Sequence, residues 1–334
     1  MNHPCYICGL GAFVPSRVAS NADMEKLVET SDEWITTRTG IRERHFLDDD
    51  ANASDCGAEA ARAALAEAGL CADDVTHILV ATCTPDHLCP STACVIAGKL
   101  GLSASQGRMG SVMCMDFNAA CTGFVYGLDL ARSLLQIHPD AVILLVAAEA
   151  LSRRTNFTDR STCVLFGDAA GAVVFRSSPE KALWEVKDVK CSSDGSLCDL
   201  IRIGGGTAEH ISVGDVIGPE WFVSMQGTVV FKQAVRHMAE ESLQVLERNG
   251  LSFDDIDLFI PHQANMRIIS AVGERLGLGE DKVFANVQHY GNTSAATLPL
   301  AMVDARRSGR LAPGMKLLLT GFGGGMTWGS ALLV

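Results

Sequence analysis

Long apolar runs are missing from this 334-residue chain. The longest, Ala141 to Ala148, falls far short of the ~20 residues a helix needs to cross a bilayer, so no membrane association is expected. The opening Met1-Asn2-His3-Pro4 has neither the basic start nor the apolar stretch of a secretory signal. Basic charge is scarce: 27 lysines and arginines face 39 acidic residues, a net charge of −12. That argues against nucleic acid as a partner, and any anionic ligand then needs a local basic patch. Aromatics are only 6% of the chain, but 48% is hydrophobic, which excludes disorder for most of it. At roughly 150 residues per domain the length suggests about two domains.

Repeated cysteine spacing is also lacking. The twelve cysteines mostly sit inside apolar runs, Cys5 and Cys8 have no second such pair, and Cys191 and Cys198 are wrongly spaced for zinc. No metal site is expected. A reduced cytoplasmic setting is, with most cysteines acting as small buried hydrophobes.

An internal repeat is present. Gly69-Leu70-Cys71-Ala72-Asp73-Asp74-Val75 recurs half a chain later as Gly250-Leu251-Ser252-Phe253-Asp254-Asp255-Ile256. Each copy follows an amphipathic helix, expected over Ser54 to Ala68 and Thr228 to Asn249, and each opens on a glycine suited to a left-handed C-cap. Downstream, strand Val112 to Phe117, a helix from Cys121 to Gln136 and strand Ala141 to Ala148 match strand Val283 to Val287, a helix from Ser294 to Ser308 and strand Lys316 to Thr320. The matched order predicts an α/β protein of two duplicated halves, 1–180 and 181–334, with central helices between sheets.

Working groups in such folds sit where strands end and helices begin. Cys121 is at such a junction, where the helix macrodipole is expected to lower a thiol pKa; the plainer reading is a tightly packed small residue. His262 follows strand Leu258 to Pro261 and is otherwise a structural histidine. Asn292 lies at the matching junction of the second half and is otherwise a helix N-cap. Gly321-Phe322-Gly323-Gly324-Gly325-Met326 can offer backbone N–H groups to an oxyanion, or is simply a tight turn. Their joint placement at one sheet end across a pseudo-twofold favours chemistry.

The stretches Ser31 to Arg44, Ala120-Cys121-Thr122-Gly123-Phe124, Phe166 to Ala172, Pro261-His262-Gln263-Ala264-Asn265, His289-Tyr290-Gly291-Asn292-Thr293-Ser294 and Gly323 to Gly329 together resemble the β-ketoacyl-acyl-carrier-protein synthase III family of the thiolase superfamily. The resemblance spans essentially the whole chain. It implies a five-layer αβαβα sandwich and a decarboxylative condensation of an acyl-CoA primer with malonyl-acyl-carrier protein, without a cofactor. Cys121 resembles the acyl-accepting nucleophile, His262 and Asn292 the decarboxylation pair, and the N–H groups of Cys121 and Gly324 the oxyanion hole. Trp34, Arg38, Thr39, Arg160 and Arg267 match positions around CoA. Gln263, Ala264, Asn265, Arg267, Lys232 and Arg275 are expected to dock the acidic carrier protein. Cys89, lent by the other subunit of a homodimer, and Phe322 are expected at the acyl pocket. Thr228 departs from the family's usual asparagine, and the stretch from Leu102 to Val112 is longer than expected. The rival reading is a related condensing enzyme of secondary metabolism with a CoA-linked extender.

Overall fold

The computed structural model describes residues 3–102, 112–210, 212 and 214–334. The expectation for the long stretch concerns residues 103–111, which lie outside the described residues. Strands β1 (Tyr6–Phe13), β2 (His77–Ala81), β3 (Met113–Phe117), β4 (Ile143–Glu149), β5 (Ala169–Arg176), β6 (Trp184–Ser193), β7 (Leu258–Pro261), β8 (Leu317–Gly323) and β9 (Thr327–Leu333) pair in the order β7-β8-β9-β6-β1-β5-β4-β2-β3. The join between β6 and β1 is only Tyr6 with Glu185 and Ile7 with Trp184. Two sheets therefore meet along one short seam.

The main helices are α1 (Asp32–Thr39), α2 (Ala53–Ala68), α3 (Thr92–Lys99), α4 (Gly123–Ile137), α5 (Gly227–Arg248), α6 (Met266–Arg275) and α7 (Thr297–Arg307). Helices α2 and α3 cover the outer face of the first sheet, α5 and α6 cover the second, and α4 and α7 lie between the two. This is the expected five-layer sandwich. The sequence explains the layers: β4 is buried along its whole length, as a strand with helices on both faces must be. Helix α4 buries Phe124, Val125, Leu128, Ala131 and Leu135 between the sheets. Leu79, Leu145, Leu258 and Leu319 belong to one core drawn from both halves. Helix α2 can lie close on β1 because Gly9 and Gly11 lack side chains; a Cβ at Gly9 would stand 2.1 Å from the Ala64 carbonyl oxygen.

The duplication is visible in backbone detail. Gly69 and Gly250 have φ of 68° and 66°, each followed by a 3₁₀ turn (Ala72–Asp74, Phe253–Asp255) and a parallel strand, β2 or β7. Asn118 Oδ1 accepts from the Ala120 N–H at 2.9 Å, and Asn292 Oδ1 accepts from the Ser294 N–H at 2.9 Å. Ala120 and Ser294 both take left-handed φ, 47° and 51°, before α4 and α7. Asn292 thus pairs by pseudo-symmetry with Asn118, and Cys121 with Ala295.

Two local expectations are corrected. No strand forms over Val283 to Val287: Val283 makes one bridge to Phe259, and Val287–Tyr290 is a helical turn. The pairing stops because the Asn286 N–H donates to Gln263 Oε1 at 2.9 Å instead of to a strand. Helix α4 begins at Gly123, and Cys121 lies in the 3₁₀ turn Ala120–Thr122 that precedes it. No described helix is long and apolar enough to cross a membrane.

Candidate active site

The turn carrying Cys121 is clamped from the second sheet. Thr122 donates its hydroxyl to the Thr327 carbonyl at 3.1 Å, and Thr327 donates its own to the Ala119 carbonyl at 2.9 Å. The thiol is not activated at rest, contrary to the helix-dipole expectation. Burial pushes it up to about 12, with a hydrogen bond from Ser294 opposing and the Glu149 charge adding to the rise. Glu149 ends β4 fully buried; it accepts from the Thr84 hydroxyl at 2.7 Å, the Cys83 N–H at 3.1 Å and the Thr82 hydroxyl at 3.3 Å. Burial raises its carboxyl, and hydrogen bonds from Thr84, Ser294 and Cys83 work against that.

His262 follows β7, its N–H donating to the Thr320 carbonyl of β8 at 2.8 Å. The residue is 3% exposed, and Nδ1 lies 2.7 Å from Thr297 Oγ1. Burial drops its pKa to about 3, so the imidazole is neutral at physiological pH. Asn292 spends Oδ1 on the Ser294 N–H, which leaves Nδ2 to donate. Cys121, His262 and Asn292 line one cavity of about 460 Å³.

The cavity wall also holds Trp34, Arg38, Thr39, Thr228, Lys232, Ala264, Asn265, Arg267 and Phe322. The Arg38 and Arg160 guanidiniums lie 5.1 and 4.8 Å from the Trp34 ring centroid. Arg267 is exposed and lies 5.6 Å from the Phe231 ring. Together they form the local basic patch that an acidic protein needs for an anionic ligand.

The remaining expected site residues have the following surroundings. Gln263 is 1% exposed and cannot touch a docked protein: Nε2 donates to the Pro261 carbonyl at 2.6 Å and Oε1 accepts from Asn286. The Thr39 hydroxyl donates to the Ile35 carbonyl at 2.6 Å and accepts from the Ile41 N–H at 3.0 Å, so it closes α1. Asn265 caps α6 through the Arg267 N–H and donates to the Arg38 carbonyl at 3.2 Å, tying the two rim helices together. Arg275 is engaged by Glu240 at 3.3 Å. Gly324 packs beside Ile201 just beyond Phe322. Cys89 is exposed and is not part of the cavity wall.

Sequence reasoning missed Glu149, Cys83 and Thr297. Glu149 had a signal, since a carboxyl ends an otherwise wholly apolar strand. Cys83 and Thr297 had none, because their partners lie 66 and 35 residues away. An apolar cluster of Leu151, Phe166 and Val223, with Cys83, Leu165 and Ile203, also adjoins the site through the bridge from Phe166 to Asn292.

The chain is similar over its whole length to known proteins. The 3-oxoacyl-[acyl-carrier-protein] synthase III profile matches residues 115–195, and its C-terminal profile matches 246–334. The β-ketoacyl-[acyl-carrier-protein] synthase III of Nitratidesulfovibrio vulgaris strain DP4 is 55% identical over 335 residues, covering 100% of this chain and 99% of the relative. The crystal structure of 3-oxoacyl-[acyl-carrier-protein] synthase III from Aquifex aeolicus VF5 has a TM-score of 0.89 at 40% identity, covering 98% and 99% of the two chains. The Pseudomonas aeruginosa PAO1 structure of the same description has a TM-score of 0.89 at 39% identity, covering 99% and 98%.

Proposed function

Because the chain belongs to the 3-oxoacyl-[acyl-carrier-protein] synthase III family, we propose that Cys121 is the residue on which it carries its acyl group. The protein is an acyltransferase that performs the initiating condensation of fatty acid synthesis. Acyl-CoA acylates the enzyme and CoA leaves; malonyl-acyl-carrier protein then loses CO₂, and its carbon attacks the acyl-enzyme to give the 3-oxoacyl-carrier protein.

The observation that carries the site reading is the shared cavity, which Cys121, His262 and Asn292 line together with Trp34, Arg38 and Arg267. A thiol exchanges readily with a thioester because the sulfur leaving groups are alike. Loss of CO₂ places charge on the thioester oxygen, which Asn292 Nδ2 meets as a neutral donor; a carboxylate there would repel it. The Cys121 and Gly324 N–H groups hold the acyl oxygen. Trp34, Arg38, Arg160 and Arg267 hold CoA, Thr39 supporting them through the end of α1. Lys232 and Arg267, flanked by Ala264, meet the acidic carrier.

The reading needs no cofactor, since the CoA thioester is a substrate. It also takes 1–180 and 181–334 as the two halves of a cytoplasmic homodimer's subunit. Support for the dimer comes from Cys89 beside Leu88, which is 88% exposed and wants a cover. From there Cys89 closes the partner's acyl pocket next to Phe322.

Mass spectrometry after mixing with acyl-CoA tests the centre of this reading. A covalent acyl adduct on the Cys121 peptide, absent in Cys121→Ser, is expected. Acylation on another cysteine, or on none, overturns it.

A further inference from the structure

Thr297 is the first residue of α7, and its buried hydroxyl has two neighbours. One is the Ser294 carbonyl oxygen at 2.9 Å; the other is His262 Nδ1 at 2.7 Å. A threonine hydroxyl has a single proton to donate. The Ser294 carbonyl can only accept, so its contact is satisfied only when that proton points to it. His262 Nδ1 must then carry the ring proton and donate to Oγ1. The reverse arrangement leaves two buried oxygens 2.9 Å apart with lone pairs opposed and no proton between them, even though the Ser294 carbonyl also accepts from the Thr297 N–H. A neutral imidazole has one N–H, so Nε2 is left as a bare acceptor.

We propose that Thr297 is a positioning residue that locks His262 as its Nδ1–H tautomer, so that Nε2 receives the proton of the Cys121 thiol during acyl transfer. The proposal rests on reading Cys121 as the acyl acceptor. In the step, the Cys121 S–H bond breaks and its proton goes to Nε2 while sulfur bonds the acyl carbon. The carbon–sulfur bond to CoA breaks, and the departing CoA thiolate takes the proton back from Nε2. The ring returns to its starting tautomer, and CoA leaves as a thiol. A thiol that burial keeps protonated needs such an acceptor at the moment of attack.

The test is two-dimensional ¹⁵N NMR on histidine-labelled enzyme, with His262→Ala identifying the His262 signals among the nine histidines. Wild type at pH 7.5 is expected to show a protonated Nδ1 and a bare Nε2. In Thr297→Val the Nε2–H form should gain population, while Thr297→Ser should keep the wild-type pattern. In single-turnover CoA release, Thr297→Val should be slowed at least tenfold with KM for acyl-CoA unchanged, and Thr297→Ser should stay within threefold of wild type. A protonated Nε2 in the free wild-type enzyme overturns the proposal, as does undiminished acylation by a folded Thr297→Val. Failure of the parent reading is seen separately, as absence of any adduct on Cys121 in wild type.

Discussion

A Cβ at Gly323 would lie 2.7 Å from the backbone nitrogen of Cys121, closer than real side-chain carbons approach. It would also meet the Thr122 nitrogen at 3.1 Å and the Ala120 Cβ at 3.2 Å. The end of β8 is therefore pressed against the nucleophile turn itself. Backbone cannot yield here as a flexible side chain would, so Gly323→Ala must push the Ala120–Thr122 turn away from the strand. Misplacing an oxyanion donor costs roughly 10²–10³ in rate. We expect Gly323→Ala to fold, with acyl-CoA turnover down by about two orders of magnitude. Steady-state kinetics beside a thermal melt checks it, and near-wild-type turnover would show that the turn tolerates displacement.

The resting thiol yields a second expectation. With Cys121 held up to about 12 by burial, its reaction with iodoacetamide should be slow at pH 7. The rate should still be rising at pH 9 and above, instead of levelling off near pH 6 as it would for a dipole-activated thiolate. Rates read from the Cys121 peptide by mass spectrometry decide between the two.

That difference marks where the sequence stops being readable. The repeat, the strand ends and the glycine C-caps are local patterns, so β2, β7, α2, α5 and the positions of Cys121, His262 and Asn292 were legible. The missing strand at Val283 to Val287 was not, because a side chain from Gln263 takes the backbone donor that the strand needed. The thiol's state depends on Glu149 and Ser294, which only the packed halves bring to it. The burial of Gln263 is equally non-local: its partners Phe284 and Asn286 lie 21 and 23 residues away.

Burial of His262 also predicts a stability signature. The group takes a proton near 6.5 when unfolded and near about 3 when folded. Above pH 6.5 both states are neutral and nothing is lost. As pH falls below 6.5 the unfolded chain binds a proton that the native ring refuses, so stability drops by about 1.4 kcal/mol per pH unit until the folded value is reached. Between pH 7 and pH 5 wild type should lose roughly 2 kcal/mol more than His262→Asn. Urea denaturation of both proteins at the two pH values measures the difference, and parallel losses would mean that the buried ring accepts a proton.

The two substrates should be separable at the cavity mouth. Trp34 sits under the guanidiniums of Arg38 and Arg160, a planar platform suited to a nucleotide base, whereas Lys232 is an exposed charge on α5. Trp34→Ala removes the stacking face and should raise KM for acyl-CoA about tenfold, since a base–aromatic stack is worth about 1–3 kcal/mol. Malonyl-carrier protein should react with pre-acylated Trp34→Ala as it does with wild type. Lys232→Glu should do the reverse: slower reaction with the acidic carrier, by several-fold at low salt, and little change in acyl-CoA exchange. Because exposed charges are screened within about 10 Å at 0.1 M salt, the Lys232→Glu defect should shrink as ionic strength rises, and the Trp34→Ala defect should not. Half-reaction rates at two salt concentrations test both variants together, and equal losses in both half-reactions would remove Lys232 from the docking surface.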